Sequence, residues 1–219
     1  IVFFFRQKSI KNKQTIIETE QRLNRARINP HFFFNALTTL QGLAVRENDG
    51  KKVAINLYKF SSLMRKTLES SYNDYVTIEK ELEFIKQYIE LQNLKESNKF
   101  DYVVNVDENI NQLELLIPSM LIQPFLENAI EHGFSDIDYK GVLELSIAIK
   151  DKNLMIIISD NGKGLIVSEN KNSNHISRAI QITKDRLYLI NREKNTNCSY
   201  SVSNKAPHGV IVELVLPLL

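Results

Sequence analysis

The sequence changes character at a short polar stretch, Ser71 to Tyr75. Before it, apolar residues recur every three to four positions; after it, runs of alternating β-branched residues appear. A three-to-four repeat lays apolar side chains along one side of a helix, and a two-residue repeat lays them on one face of a strand. A chain that does both in succession builds a helical part and then a mixed layer, an α+β class.

The helical part predicts a hairpin. From Arg6 to Val45 there is one Pro and one Gly, and Ile10, Ile16, Ile17, Leu23 and Ile28 form a thin apolar stripe among charges. Such a helix is marginal alone. Asn48-Asp49-Gly50 signals a turn. A second helix is predicted from Lys51 to about Ser70, with Val53, Leu57, Phe60, Met64 and Leu68 on one face. Two helices cannot close a core, but two copies of the hairpin make a four-helix bundle, so burial alone predicts a homodimer.

The second part reads as alternating elements. Helices are predicted over Thr77–Ser97, Pro118–Gly133 and Ser177–Asn191, and a strand over Phe100–Asp107. Val142–Lys150 and Leu154–Asp160 flank Asp151-Lys152-Asn153, a hairpin pattern, and Cys198–Lys205 with Gly209–Pro217 closes the chain as a strand pair. The polar, Gly-marked segment from Asn161 to Ser177 reads as a loop.

Composition narrows the function. With 28 Lys+Arg against 26 Asp+Glu, the 219-residue chain lacks the basic footprint of bulk nucleic-acid binding. One cysteine, Cys198, excludes a disulfide framework and a Cys-rich zinc site. The opening Ile1-Val2-Phe3-Phe4-Phe5 is too short to span a membrane and is followed by Arg6, Lys8, Lys11 and Lys13. Basic residues after an apolar run mark the inner side, so residues 1–5 read as the end of a truncated transmembrane segment.

Three motifs carry chemistry. The first is Arg27-Ile28-Asn29-Pro30-His31-Phe32-Phe33-Phe34-Asn35. A Pro within a helical pattern costs about 3 kcal/mol and frees a carbonyl on the preceding turn, and His31 follows directly. Three successive Phe cannot all face inward, because a helix turns about 100° per residue. The second is Gln123-Pro124-Phe125-Leu126-Glu127-Asn128-Ala129-Ile130-Glu131-His132-Gly133. Helical spacing gathers Gln123, Glu127 and Glu131 into one polar row, with Asn128 and His132 adjoining. The third is Ile158-Ser159-Asp160-Asn161-Gly162-Lys163-Gly164, an Asp ending an apolar strand before a Gly-x-Gly turn. No Walker A loop is present.

The Asn29–Asn35 motif resembles the phosphoacceptor motif of the LytS/YehU-type sensor histidine kinases. The likeness continues through Leu57-Tyr58-Lys59-Phe60-Ser61-Ser62-Leu63-Met64-Arg65 and Val76-Thr77-Ile78-Glu79-Lys80-Glu81-Leu82 into a nucleotide-binding region. It implies a helical-hairpin dimerisation and phosphoacceptor region over residues 6–73, then a Bergerat-type α/β sandwich over residues 74–219. By that resemblance His31 is the phosphoacceptor, with Asn35 and Glu127 as further catalytic candidates. Asn128 falls in the N box of the GHKL ATPases, where the Asn holds Mg²⁺ against ATP phosphates. Glu131 and His132 are candidates for orienting metal water or phosphates. Asp160, in the G1 box, would accept the adenine amino group, with Gly162 and Gly164 giving the backbone close approach. Ala179, at the second glycine box, and Arg186, in the Arg-Leu that follows it, are further nucleotide-binding candidates by the same resemblance. The implied partners are a second copy of the chain and a response regulator of the LytTR type, and the implied location is the cytoplasmic side of an inner-membrane protein.

The match departs from the pattern in the lid. Ser177 and Ala179 stand at the two glycine places of the second glycine box, Ile182 stands at its Asn place, and the final strand begins Gly209-Val210 instead of Gly-Thr. Each lost hydrogen bond to a charged phosphate is worth about 1.5–3 kcal/mol. The sequence therefore predicts weakened ATP binding and a differently closed lid. Two other readings stay open: a catalytically weak or inactive pseudokinase acting as a dimeric signalling scaffold, and a GHKL ATPase that hydrolyses ATP for conformational work. His175 and His208 read as solvated loop residues.

Overall fold

The computed structural model describes residues 50–71, 73–95, 99–165 and 178–218, with helical backbone at positions 16, 19, 37, 38, 41, 42, 44 and 45. The N-terminal apolar stub, the motif holding His31 and Asn35, and residues 166–177 of the predicted loop lie outside the described residues, as do Ser177 and His175.

Helix α1 runs from Gly50 to Ser71, close to the predicted second helix. It packs on α2 (Ile78–Lys95). The face it buries differs from the predicted stripe. Phe60, Leu63 and Thr67 are buried, whereas Leu57 is 53% and Leu68 41% exposed. α2 thus covers a neighbouring stripe and leaves Ile55, Leu57 and Tyr58 facing outward. Lys59–Glu90 (3.3 Å) and Lys66–Glu83 (2.6 Å) flank the contact. Surface pairs of this kind add at most about 1 kcal/mol.

Between the two helices lies β1 (Tyr75–Thr77), which pairs antiparallel with β3 (Leu116–Pro118). The Thr77 hydroxyl oxygen accepts the Lys80 amide at 3.3 Å and caps the start of α2. β2 (Phe100–Val106) then enters the main sheet.

The predicted helix over Pro118–Gly133 is shorter in the structure. Pro118 ends β3, and Met120 adopts φ 57°, which no α-helix tolerates. Helix α3 therefore starts at Gln123, with Pro124 in its first turn, and runs to Asn128. A π-helical turn over Ala129–Gly133 follows, closed by the Phe134 amide donating to the Ala129 carbonyl at 2.8 Å.

β4 (Gly141–Lys150) and β5 (Asn153–Asp160) form the predicted hairpin, joined by Asp151 and Lys152 at φ 51° and 61°. Helix α4 (Arg178–Lys194) leads to β6 (Ser199–Asn204) and β7 (Val210–Pro217). The five-stranded sheet has the order β2-β4-β5-β7-β6, with β2 parallel to β4 and the other pairs antiparallel. Alternate residues such as Leu143, Leu145, Ile156 and Leu214 share one core with Ile85, Tyr88, Leu126 and Leu187 of the helices. The architecture is α+β, helices over one face of a mixed sheet, as expected from the sequence.

Candidate functional site

Three segments that are distant in sequence meet beside the end of β5. They are the α3–π turn, the Gly-rich turn after Asp160, and the start of β7. The junction is a backbone contact. The Lys163 amide donates to the Gly133 carbonyl at 3.1 Å. A Cβ on Gly162 would sit 2.5 Å from the Gly133 oxygen, so only glycine permits this approach. Gly209, at φ 110°, is as closely confined: a Cβ there would lie 2.0 Å from the Asp160 carbonyl oxygen.

Asp160 is buried, and its carboxylate is held from two sides. Its Oδ1 accepts the Gly162 amide at 2.8 Å and the Val210 amide at 3.2 Å. Burial raises its pKa; the two amides and the nearby Lys205 ammonium oppose the shift. The sequence had marked Gly209-Val210 as lacking a supporting hydroxyl. In the structure the backbone amide of Val210 occupies that supporting role. Oδ2 has no hydrogen-bond partner among the described residues.

Asp160 forms one wall of a cavity of about 260 Å³. Asn128, His132 and Gly133 line it from the α3–π turn, Lys163 and Gly164 from the Gly-rich turn, and Ile180 from α4. Phe125, Ile158, Val202 and Val212 supply apolar walls. The cavity combines apolar surface with a buried carboxylate on its wall, which suits a flat ring system bearing a hydrogen-bond donor.

The predicted site residues divide. Asn128, His132, Asp160 and Gly164 come together on the cavity wall, and Gly162 backs them through Gly133. Glu127 and Glu131 lie outside that wall, near enough to buried Tyr88 of α2 for their charges to raise its hydroxyl pKa after burial itself. Gln123 donates to Glu127 Oε1 at 2.6 Å. Arg186 also lies outside the cavity wall; its charge acts on Glu81 of α2. Ala179 sits in the first turn of α4, and its side chain is outside the described residues. His208 is exposed, with its ring 4.9 Å from that of Tyr139.

Sequence reasoning missed several contributors. Asn161 accepts the Val142 amide at 2.6 Å, and Asn204 Oδ1 accepts the Leu165 amide at 2.7 Å, fixing both ends of the Gly-rich turn. Lys163 reaches Ser135 Oγ at 2.7 Å and lines the cavity. An Asn after a strand end was visible in the sequence, but its partner strands were not.

Residues 19–100 match the histidine kinase family model. Sensor protein LytS of Oceanobacillus iheyensis is 33% identical over 154 residues, covering 70% of this chain and 26% of that protein. Sensor histidine kinase YpdA of Escherichia coli is 33% identical over 149 residues, covering 68% of this chain and 25% of that protein.

The chain belongs to the LytS-type histidine kinases.

It spans about a quarter of the length of the curated LytS and YpdA relatives it matches. The histidine kinase domain of the Erythrobacter litoralis EL346 blue-light activated histidine kinase superposes with a TM-score of 0.51 at 15% identity, covering 94% of each chain. At that identity the likeness speaks to the fold, and the fold agrees with the LytS-type assignment. Among the described residues no helix is long and apolar enough to cross a membrane.

Proposed function

We propose that this chain is the kinase core of a two-component sensor. It transfers the γ-phosphoryl group of Mg-ATP to His31 and passes it to an aspartate of a response regulator, of the LytTR type by family resemblance. The observation that carries the nucleotide half is the cavity lined by Asn128, His132, Asp160 and Gly164. Oδ2 of Asp160 accepts the exocyclic amino group of adenine while the two backbone amides hold Oδ1. A carboxylate accepts this donor and rejects a carbonyl in the same place, so the site favours adenine over guanine.

Asn128, the last residue of α3 and on the cavity wall, would hold Mg²⁺ through its amide oxygen. Mg²⁺ takes few protein oxygens and completes its shell with phosphate and water, neutralising phosphate charge when bound. In the transfer, a ring nitrogen of His31 bonds to the γ-phosphorus as the bond to the β–γ bridging oxygen breaks, and ADP leaves. Positioning and charge neutralisation dominate such a step.

We assign residues 6–73 to the dimerisation and phosphoacceptor hairpin and residues 74–219 to the ATP-binding domain. By family resemblance the core lies on the cytoplasmic side of a membrane-anchored protein. The exposed Ile55, Leu57 and Tyr58 of α1 support pairing with a second copy. The test is incubation with γ-labelled ATP and Mg²⁺, wild type beside His31→Gln. Acid-labile, alkali-stable label confined to wild type is the expected result. A folded dimer that binds Mg-ATP but takes no label would overturn the transferase reading in favour of a scaffold.

A further inference from the structure

Glu81 is a carboxylate in the first turn of α2, where sequence alone would place it in solvent, yet it is 3% exposed. Its Oε2 accepts the amide of Met120 at 3.3 Å. Met120 is the residue at φ 57°, a conformation that L side chains avoid and that only firm surroundings maintain. The turn Ser119–Ile122 is also gripped from its other end. The Ser119 amide donates to the Asp74 carbonyl at 3.0 Å, and the Ser119 hydroxyl donates to the Asn73 carbonyl at 2.6 Å. Asn73 and Asp74 form the joint between α1 and β1, whereas Ile122 leads directly into α3 and Asn128.

The opposite side of Glu81 is polar as well. Arg186 of α4 lies near enough to draw its carboxyl toward ionisation. The Tyr102 hydroxyl of β2 is buried with no hydrogen-bond partner among the described residues, and the Glu81 charge adds to the burial that raises its pKa. Glu81 therefore ties α2 to the turn, within electrostatic reach of α4 and β2. A buried carboxyl would be expensive there unless it held something.

We propose that Glu81 is a positioning residue for the nucleotide site: as acceptor for the Met120 amide it clamps the turn that joins the α1–β1 joint to the Asn128 helix. The proposal rests on the nucleotide reading of the cavity for its functional half and on the turn geometry for its structural half. Either protonation state of Glu81 keeps an acceptor oxygen, so a glutamine should substitute for it and a methionine of similar length should not.

The experiment compares wild type, Glu81→Met and Glu81→Gln by hydrogen exchange without nucleotide and by Mg-ATP affinity. Methionine fills a similar volume without an acceptor, and hydrogen exchange over the β4–β5 sheet shows whether each variant keeps the fold. In Glu81→Met, exchange over residues 119–128 should quicken about tenfold, as expected for loss of a charge-assisted bond, with the β4–β5 amides unchanged. The Mg-ATP dissociation constant should rise by about the same factor. Glu81→Gln should return both readouts to within about threefold of wild type. Wild-type exchange over residues 119–128 in Glu81→Met, or a glutamine variant that behaves like methionine, would overturn the clamp. Faster exchange with unchanged affinity would overturn its link to the nucleotide site. If wild type itself binds no Mg-ATP, the nucleotide reading and the functional half fall together, while exchange still decides the clamp.

Discussion

Asp160 is fixed by backbone on one oxygen, so exchanging its carboxylate for an amide changes the chemistry of the cavity while leaving its walls in place. Asp160→Asn presents a donor or a weaker acceptor to an adenine amino group. We expect the Mg-ATP dissociation constant to rise at least about tenfold by titration calorimetry, with the fold intact by circular dichroism. Glu81 gives a pH signature instead. Burial raises its pKa from 4.5 to about 7, against the opposing pull of the Met120 amide and Arg186. Between those two values the folded state binds a proton that the unfolded chain has lost, so stability falls as pH rises through about 4.5 to 7. The loss is on the order of 3 kcal/mol at about 1.4 kcal/mol per pKa unit. Denaturant midpoints should fall over that window in wild type and flatten in Glu81→Gln. Asp160 stood out in the sequence only through the resemblance of its strand end and Gly-x-Gly turn to the G1 box, since such a turn on its own is common. Glu81 did not, because a Glu in the first turn of an amphipathic helix has the same local pattern whether solvent or a turn lies opposite it.

At the scale of elements, the contact between the π turn and the Gly-rich turn sets the shape of the cavity. Gly162→Ala would place a methyl group 2.5 Å from the Gly133 oxygen and 2.7 Å from its Cα, both backbone atoms with little freedom to retreat. The variant should lose about 1–3 kcal/mol of stability in denaturant titration, the usual penalty of forced overpacking. It should also bind nucleotide more weakly by moving Asp160 relative to Asn128. The hairpin of β4 and β5 was readable because clean alternation met a two-residue turn. The strands β1 and β3 were not, since three residues carry too little period to register. The late start of α3 was hidden too: Met120 has an ordinary side chain, and the acceptor of its amide, Glu81, lies 39 residues earlier in the chain.

For the whole molecule, the apolar side chains that α1 leaves exposed predict self-association. Ile55 is 57%, Leu57 53% and Tyr58 76% exposed. Sedimentation at micromolar concentration should show a dimer, and Ile55→Asp with Leu57→Asp should shift it to monomer without loss of secondary structure. Mixed architecture was evident from the change of period alone, but which face of α1 meets α2 depended on a stripe displaced from the most apolar one. The sheet has a further consequence in time. Its antiparallel pairs join strands close in sequence, except that β5 meets β7 across α4 and β6. β2 has a single partner, β4, and finds it only after β3 and α3 have been traversed. On a ribosome β2 emerges well before the segment it must join, and closing that long stretch is slower than folding a two-residue hairpin. The first strand of the sheet to be made is thus the one that has to wait for its neighbour, and Val103 and Val104 stay unpaired on its margin until β4 arrives.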